Sequence, residues 1–349
     1  MNLLTNFFKN YISTLSLIGA GVFYYSHNER FINFSSGNLS LQFFPQFSLP
    51  SIYIFYMIII AYAIFLIPFY SYYGSMTSKA RLVFWLLWKA MQGKSWNTEE
   101  YIALRAWIVK LFFLPLMIVW LGQHIFNLIN NTYSGLQNIS LLSTDFLLFF
   151  NTHFFWIAFN AILFFDVFFF TLSYLLEAPF LKNTIKSVEP TLIGWAVALL
   201  CYPPFNSYIG NIVNWYSTDF PQFWNMYVHL FFNTCILILM GIYAWASVAL
   251  GWKASNLTNR GIVMKGPYKY VRHPAYICKN TAWFIGTFPI LFASFQGGNV
   301  AFHSVLIASG TWAFLYYMRA MTEEAHLSAD PDYLIYKNKV RYKFIPKVW

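Results

Sequence analysis

Arg272, His273 and Tyr276 lie in GPYKYVRHPAYICKN, residues 266–280, where seven of fifteen residues are Lys, Arg, His or Tyr. Gly266-Pro267 signals a turn. Pro274 biases His273 away from helical backbone and can itself be the first residue of the next helix. A helix start presents free N–H groups and the positive end of the dipole, which suits a carboxylate or a phosphate. Farther along come Arg319, Glu323 and Glu324. Arg319 and Glu323 are four apart and share a helix face. Together the two groups offer cations, aromatic faces and carboxylates. A carboxylate can take an amino group or ribose hydroxyls. Aromatic faces can hold an adenine ring or a sulfonium, the latter by cation–π attraction. An arginine can orient an anionic acceptor. These residue types alone do not choose a reaction. A basic loop resting on anionic lipid, with an ordinary surface ion pair nearby, would need the same residues.

The elements that carry these groups are set by an extreme composition. Of 349 residues, 58% are hydrophobic, 22% aromatic and only 10% charged, against about 25% charged in soluble domains. This predicts an all-α polytopic membrane protein. The formal charge of +10 follows from cytoplasmic loop charges, so no nucleic acid partner is expected and no obligate protein partner is inferred. The cysteines, Cys201, Cys235 and Cys278, have no paired spacing. The histidines show no HxxxH or HExxH spacing, so no metal site is expected.

Eight apolar stretches are candidates to span, at about 9–27, 51–71, 106–129, 149–174, 190–205, 225–251, 280–295 and 299–321. The first reads as an uncleaved membrane segment. Segments on one side (the N-terminus, 72–105, 175–189, 252–279 and the C-terminus) hold 20 of the 22 Lys and Arg, and the opposite loops hold only Arg30. That alternation predicts eight helices with both termini cytoplasmic. Residues 82–91 are too short to span and read as an interfacial helix. Lys110 and Asp166 are ionisable residues inside apolar stretches at depths about 6 Å apart, so they can pair. The short link Gln296-Gly297-Gly298 makes the last two helices a hairpin, which returns Arg319 and Glu323 toward the first group. The tail DPDYLIYKNKVRYKFIPKVW, residues 330–349, is amphipathic and can fold over both groups as a lid.

The spacing Gly266, Tyr268, Arg272, His273, Pro274, Tyr276, then a hairpin, then Arg319-x-x-x-Glu323-Glu324, resembles the isoprenylcysteine carboxyl methyltransferase and phospholipid methyltransferase group. The close Arg341-Tyr342-Lys343-Phe344-Ile345-Pro346 is also similar. The likeness covers roughly residues 250–349. It implies a membrane enzyme that uses S-adenosyl-L-methionine. It further implies that Ile262 and Val263, with Tyr268, His273, Tyr276, Glu323 and Glu324, bind that cofactor. Glu323 would take its ribose or amino group, and Arg319 would orient the acceptor, making Arg319 and Glu323 the catalytic pair. The expected domains are 1–220, about five helices outside the likeness, and 221–349, the methyltransferase-like core. The acceptor is expected to be a lipidic or amphiphilic small molecule bearing a carboxylate, phosphate, thiol or amine. A bacterial inner membrane is expected ahead of the endoplasmic reticulum. Many members have glycine two residues after the second motif tyrosine; here stands Cys278, followed by Lys279 and Asn280, which hints at a different acceptor. Two rival readings are an NADPH-dependent sterol or steroid reductase and a non-enzymatic lipid-binding or transport protein.

Overall fold

A computed structural model describes residues 3–348. The first helix, α1 (Leu3–His27), and the short α2 (Glu29–Phe34) lead into a hairpin of β1 (Asn38–Leu41) and β2 (Phe44–Pro50). Then come α3 (Ser51–Tyr72), α4 (Lys79–Met91) and α5 (Thr98–Gln137). Two single turns, α6 (Leu141–Thr144) and α7 (Phe146–Phe149), run through a π turn into α8 (Phe155–Leu175). The chain continues through β3 (Ser187–Val188), α9 (Leu192–Leu199), α10 (Asn206–Ile212), α11 (Met226–Leu250) and β4 (Thr258–Asn259). It closes with α12 (Pro274–Phe295), α13 (Phe302–Leu327) and α14 (Pro331–Lys339). The class is helical as expected; the two small sheets were not expected.

At 40 residues and 1.5 Å per residue, α5 is about 60 Å long, roughly twice the thickness of a bilayer core. It starts with a capping box, Asn97 and Glu100 bonding each other's backbone N–H. Its middle is the hub of the molecule. Phe113, Ile118 and Val119 are fully buried there, against Phe31, Phe55, Val167 and Tyr174 of α2, α3 and α8. Its excess length props the β1–β2 hairpin: Asn130 donates to the Ser40 carbonyl at 2.7 Å and accepts from the Gln42 N–H at 3.0 Å. By contrast α3 turns Met57, Ile60, Ile64 and Ile67 outward, a face that only lipid or an apolar partner stabilises.

Four helical stretches combine the length and apolarity needed to cross a membrane: Ser51–Tyr72, Thr98–Gln137, Phe146–Leu175 and Met226–Lys253. The eight expected spans reduce to these on that joint criterion. Three more, α1, α12 and α13, are about 33–39 Å long but carry polar side chains, several of which face the interior. Asn10, Thr14, Thr287, Arg319 and Glu324 are all buried. The expected span at 190–205 is not one helix. With eight residues, α9 covers about 12 Å, and a turn containing the cis bond Pro203-Pro204 separates it from α10.

The loops nevertheless sort to two ends. Asn10 bonds Met76 and Ser78, Lys79 bonds Glu177, β3 pairs with β4, and Lys186 bonds Asp330 at 3.0 Å. These contacts join all five basic segments at one end. At the other end Asn130 meets β1, and Arg30 meets Tyr208. The expected interfacial segment forms α4, which packs on α1 and α5. Lys110 and Asp166 do not pair. Lys110 donates to Tyr62 Oη at 2.8 Å and to the Leu175 carbonyl, and Asp166 accepts from Tyr243 and Ser247.

The 217–218 loop lies on α12 at Gly286, where a Cβ would collide with the Thr218 carbonyl and the Ser217 hydroxyl. At Gly241 of α11 a Cβ meets open space. Gly286→Ala should therefore destabilise the detergent-solubilised protein by about 1–3 kcal/mol, as overpacking does. Gly241→Ala should leave the thermal midpoint unchanged or raise it.

Candidate active site

The helix start at Pro274 forms as the Pro signal predicts, with His273 as the residue before it. Arg272 then turns inward. Its Nε donates to Glu324 Oε1 at 2.7 Å, and its Nη1 donates to the carbonyls of Val340 and Arg341 at 2.8 and 2.9 Å. The His273 Nε2 lies 3.1 Å from the same Glu324 oxygen. The backbone N–H groups of Arg272 and His273 donate to the carbonyls of Tyr342 and Lys343. One buried carboxylate thus joins the start of α12, the end of α13 and the tail. The tail folds onto the motif as expected: Tyr333 and Tyr336 pack with Ile262, Tyr268 and Leu327, and Tyr336 Oη donates to the Tyr268 carbonyl. Its final residue, Trp349, lies outside the described residues.

Glu323 and Glu324 are adjacent on α13, about 100° apart around the helix. So while Glu324 faces the ion pair, Glu323 faces a cavity of about 120 Å³. There it accepts from Tyr276 Oη at 2.6 Å. The His273 ring stacks on Tyr276, centroids 5.5 Å apart. Arg319 does not bond Glu323, although the spacing allows it. It donates instead to Asn256 Oδ1, and its guanidinium lies over three tyrosine faces, 5.2 Å from Tyr276, 5.5 Å from Tyr202 and 5.8 Å from Tyr316.

Of the residues expected at the site, Tyr268, His273, Tyr276, Arg319 and Glu323 line this cavity together. Ile262 lies in the small cluster under α14. Ile262, Val263 and Glu324 are not among the lining residues. Several lining residues carried no motif signal: Glu189, Tyr202, Tyr243, Asn256, Lys279 and Tyr316. Glu189 and Asn256 reach the cavity because the β3–β4 pairing joins two basic loops, with the Glu189 N–H donating to the Leu257 carbonyl at 2.8 Å. The charge count put both loops on one side and went no further. Lys279 stood out only as a departure from the family pattern.

Burial alone would raise the pKa of Glu324. The hydrogen bonds and charges of His273 and Arg272 outweigh it and hold the carboxyl at about 2, against an ordinary 4.5. The folded value is depressed, so the stabilisation is complete above about pH 4.5 and is lost as pH falls toward 2. Glu324→Gln should cost about 3–5 kcal/mol at neutral pH, because it leaves Arg272 buried without a counter-charge. The gap to wild type should narrow between pH 4.5 and 2, measured by thermal unfolding in detergent.

The chain was compared with known proteins. No curated protein and no solved structure matches it. Residues 230–329 match the isoprenylcysteine carboxyl methyltransferase (ICMT) family model. The match starts in α11, takes in the motif loop and both helices of the hairpin, and stops just before α14. This C-terminal part of the chain, which contains Tyr276, Arg319 and Glu323, is therefore similar to the isoprenylcysteine carboxyl methyltransferase family.

Proposed function

We propose that this chain is an integral membrane methyltransferase that takes a methyl group from S-adenosyl-L-methionine and places it on a lipidic or amphiphilic acceptor. Its basic end would face the cytoplasm, in a bacterial inner membrane ahead of an endoplasmic reticulum. The observation that carries this reading is the convergence of Tyr268, His273, Tyr276, Arg319 and Glu323 on one cavity, inside the segment that matches a methyltransferase family model.

The chemistry of the lining fits such a cofactor. Glu323 can accept from an amino group or from ribose hydroxyls. The faces of Tyr202, Tyr276 and Tyr316 already hold a guanidinium, so this site stabilises a cation, and a sulfonium is one. The buried Tyr333 hydroxyl, clustered with Tyr268 and Ile262, has no hydrogen-bond partner among the described residues. The cavity is smaller than the roughly 300–1,000 Å³ of ordinary ligand pockets, so binding has to widen it. Arg319 is tied to its surroundings by a neutral amide and ring faces, not by a carboxylate. When bound, the cofactor supplies an activated methyl on sulfur. The protein's part is alignment and exclusion of water: Glu323 and Tyr276 fix one partner, and Arg319 orients the other.

Detergent-purified protein should bind S-adenosyl-L-methionine saturably. Glu323→Gln, which removes a charged hydrogen-bond acceptor worth about 1.5–3 kcal/mol, should weaken binding by roughly 10- to 100-fold. Tyr276→Phe should weaken it less. Saturable NADPH binding without S-adenosyl-L-methionine binding would assign the site to a reductase instead.

A further inference from the structure

Deeper in the helices lies a second, larger cavity of about 590 Å³. It shares Phe170, Tyr202, Tyr243, Lys279 and Tyr316 with the Glu323 cavity, so these five residues form the partition between the two. Its far wall comes from α5 and α8, through Trp120, Leu163 and Asp166. Both helices lie outside the segment matched to the family. The remaining surface includes three indoles, Trp215, Trp283 and Trp312, with the polar His124, Asn206 and Ser207 among smaller residues.

Charge is unevenly satisfied on this wall. Asp166 is occupied by the hydroxyls of Tyr243 and Ser247. Lys279 lies over ring faces, its Nζ 4.9 Å from Trp283, 5.2 Å from Tyr243 and 6.0 Å from Tyr316, within longer-range electrostatic reach of Asp166 and Asp219. It has no hydrogen-bond acceptor and no carboxylate within ion-pair distance among the described residues. Trp312, on the same wall, has a buried indole N–H with no acceptor among the described residues. Two donors without acceptors, beside an apolar chamber, call for a ligand rich in acceptor oxygens with an apolar body. Across the partition, Arg319 also lies against the shared Tyr316 ring.

We infer that this chamber is the acceptor site, that Lys279 selects an amphiphile with an anionic oxygen headgroup, carboxylate or phosphate, and that α5 and α8 form the wall against its apolar body. The inference rests on the methyltransferase reading. In the transfer, an oxygen lone pair of the headgroup forms the new C–O bond as the methyl–sulfur bond breaks. The sulfonium becomes a neutral thioether, the headgroup loses one negative charge, and no proton moves. Methylation therefore weakens the attraction to Lys279 and favours product release. An amine headgroup would instead bring a second cation against Lys279 and Arg319.

The test uses full-length protein in detergent, S-adenosyl-L-methionine labelled in its methyl group, and a lipid extract separated into carboxylate, phosphate and amine headgroup classes. The variants are Lys279→Met, Lys279→Arg and Leu163→Trp, which fills the chamber from α8. Labelled-donor binding, read separately, should stay within threefold of wild type in Leu163→Trp, whose side chain lines only the chamber, and the acceptor KM of the Lys279 variants is read at saturating donor. Wild type should label an anionic class, and which one identifies the headgroup. Lys279→Met and Leu163→Trp should raise the acceptor KM at least tenfold, and Lys279→Arg should restore most of the loss. Label in the amine class, or an unchanged acceptor KM in Lys279→Met with donor binding intact, would overturn the inference. Failure of wild type to bind the donor would overturn the underlying methyltransferase reading and this inference with it.

Discussion

The buried pair of Arg272 and Glu324 is the constraint on which the site depends. Taking both charges out of water is costly, and such a pair rarely adds net stability over an apolar contact. What it does add is specification. Each remaining donor of Arg272 that reaches the tail finds a backbone carbonyl, and His273 shares the same carboxylate. The arrangement is satisfied only when the start of α12, the end of α13 and residues 340–343 meet at one point. A slip of one residue along α13 would turn Glu324 away by about 100° and leave the guanidinium unpaired. The same geometry sends Glu323 to the cavity side, where Tyr276 receives it.

A second constraint comes from the surroundings. A helix with isoleucines along its outer face, as in α3, is stable only in an apolar medium, so polar side chains must find partners inward. Asp166 and Lys110 each do so locally, through hydroxyls and a helix-end carbonyl. Lys279 takes ring faces instead of an acceptor. Asp166 and Tyr243 on the same wall bond each other, and among the described residues Lys279 is the cation that lines both cavities.

Much of the helical layout was legible without coordinates. Run length and loop charge placed α3, α8 and α11 close to their observed bounds and found the middle of α5 but not its extra turns at each end, because a lipid-exposed span needs continuous apolar residues. The same criterion overcounted at 190–205, since hydropathy does not register that two successive prolines and the polar residues beyond them end α9 early. It also could not show that α1, α12 and α13 keep polar residues for the interior, which depends on what packs beside them. The β1–β2 hairpin was missed because its pairing is held partly by Asn130, far away in sequence.

By itself the amino-acid order determined that this is a helical membrane protein with a basic end. It also determined that a helix opens at Pro274 and that Arg319, Glu323 and Glu324 return to that end through a hairpin. Local backbone chemistry and burial of apolar runs suffice for each of those points. Only the tertiary structure decided which carboxylate does what, that Arg319 faces Asn256 and three tyrosines rather than Glu323, and that Glu189, Tyr202 and Lys279 belong to the same region. Those choices depend on side-chain direction and on contacts between segments far apart in the chain, such as Glu189 with the Asn256 loop and Tyr202 with Arg319. No local pattern of residues encodes them.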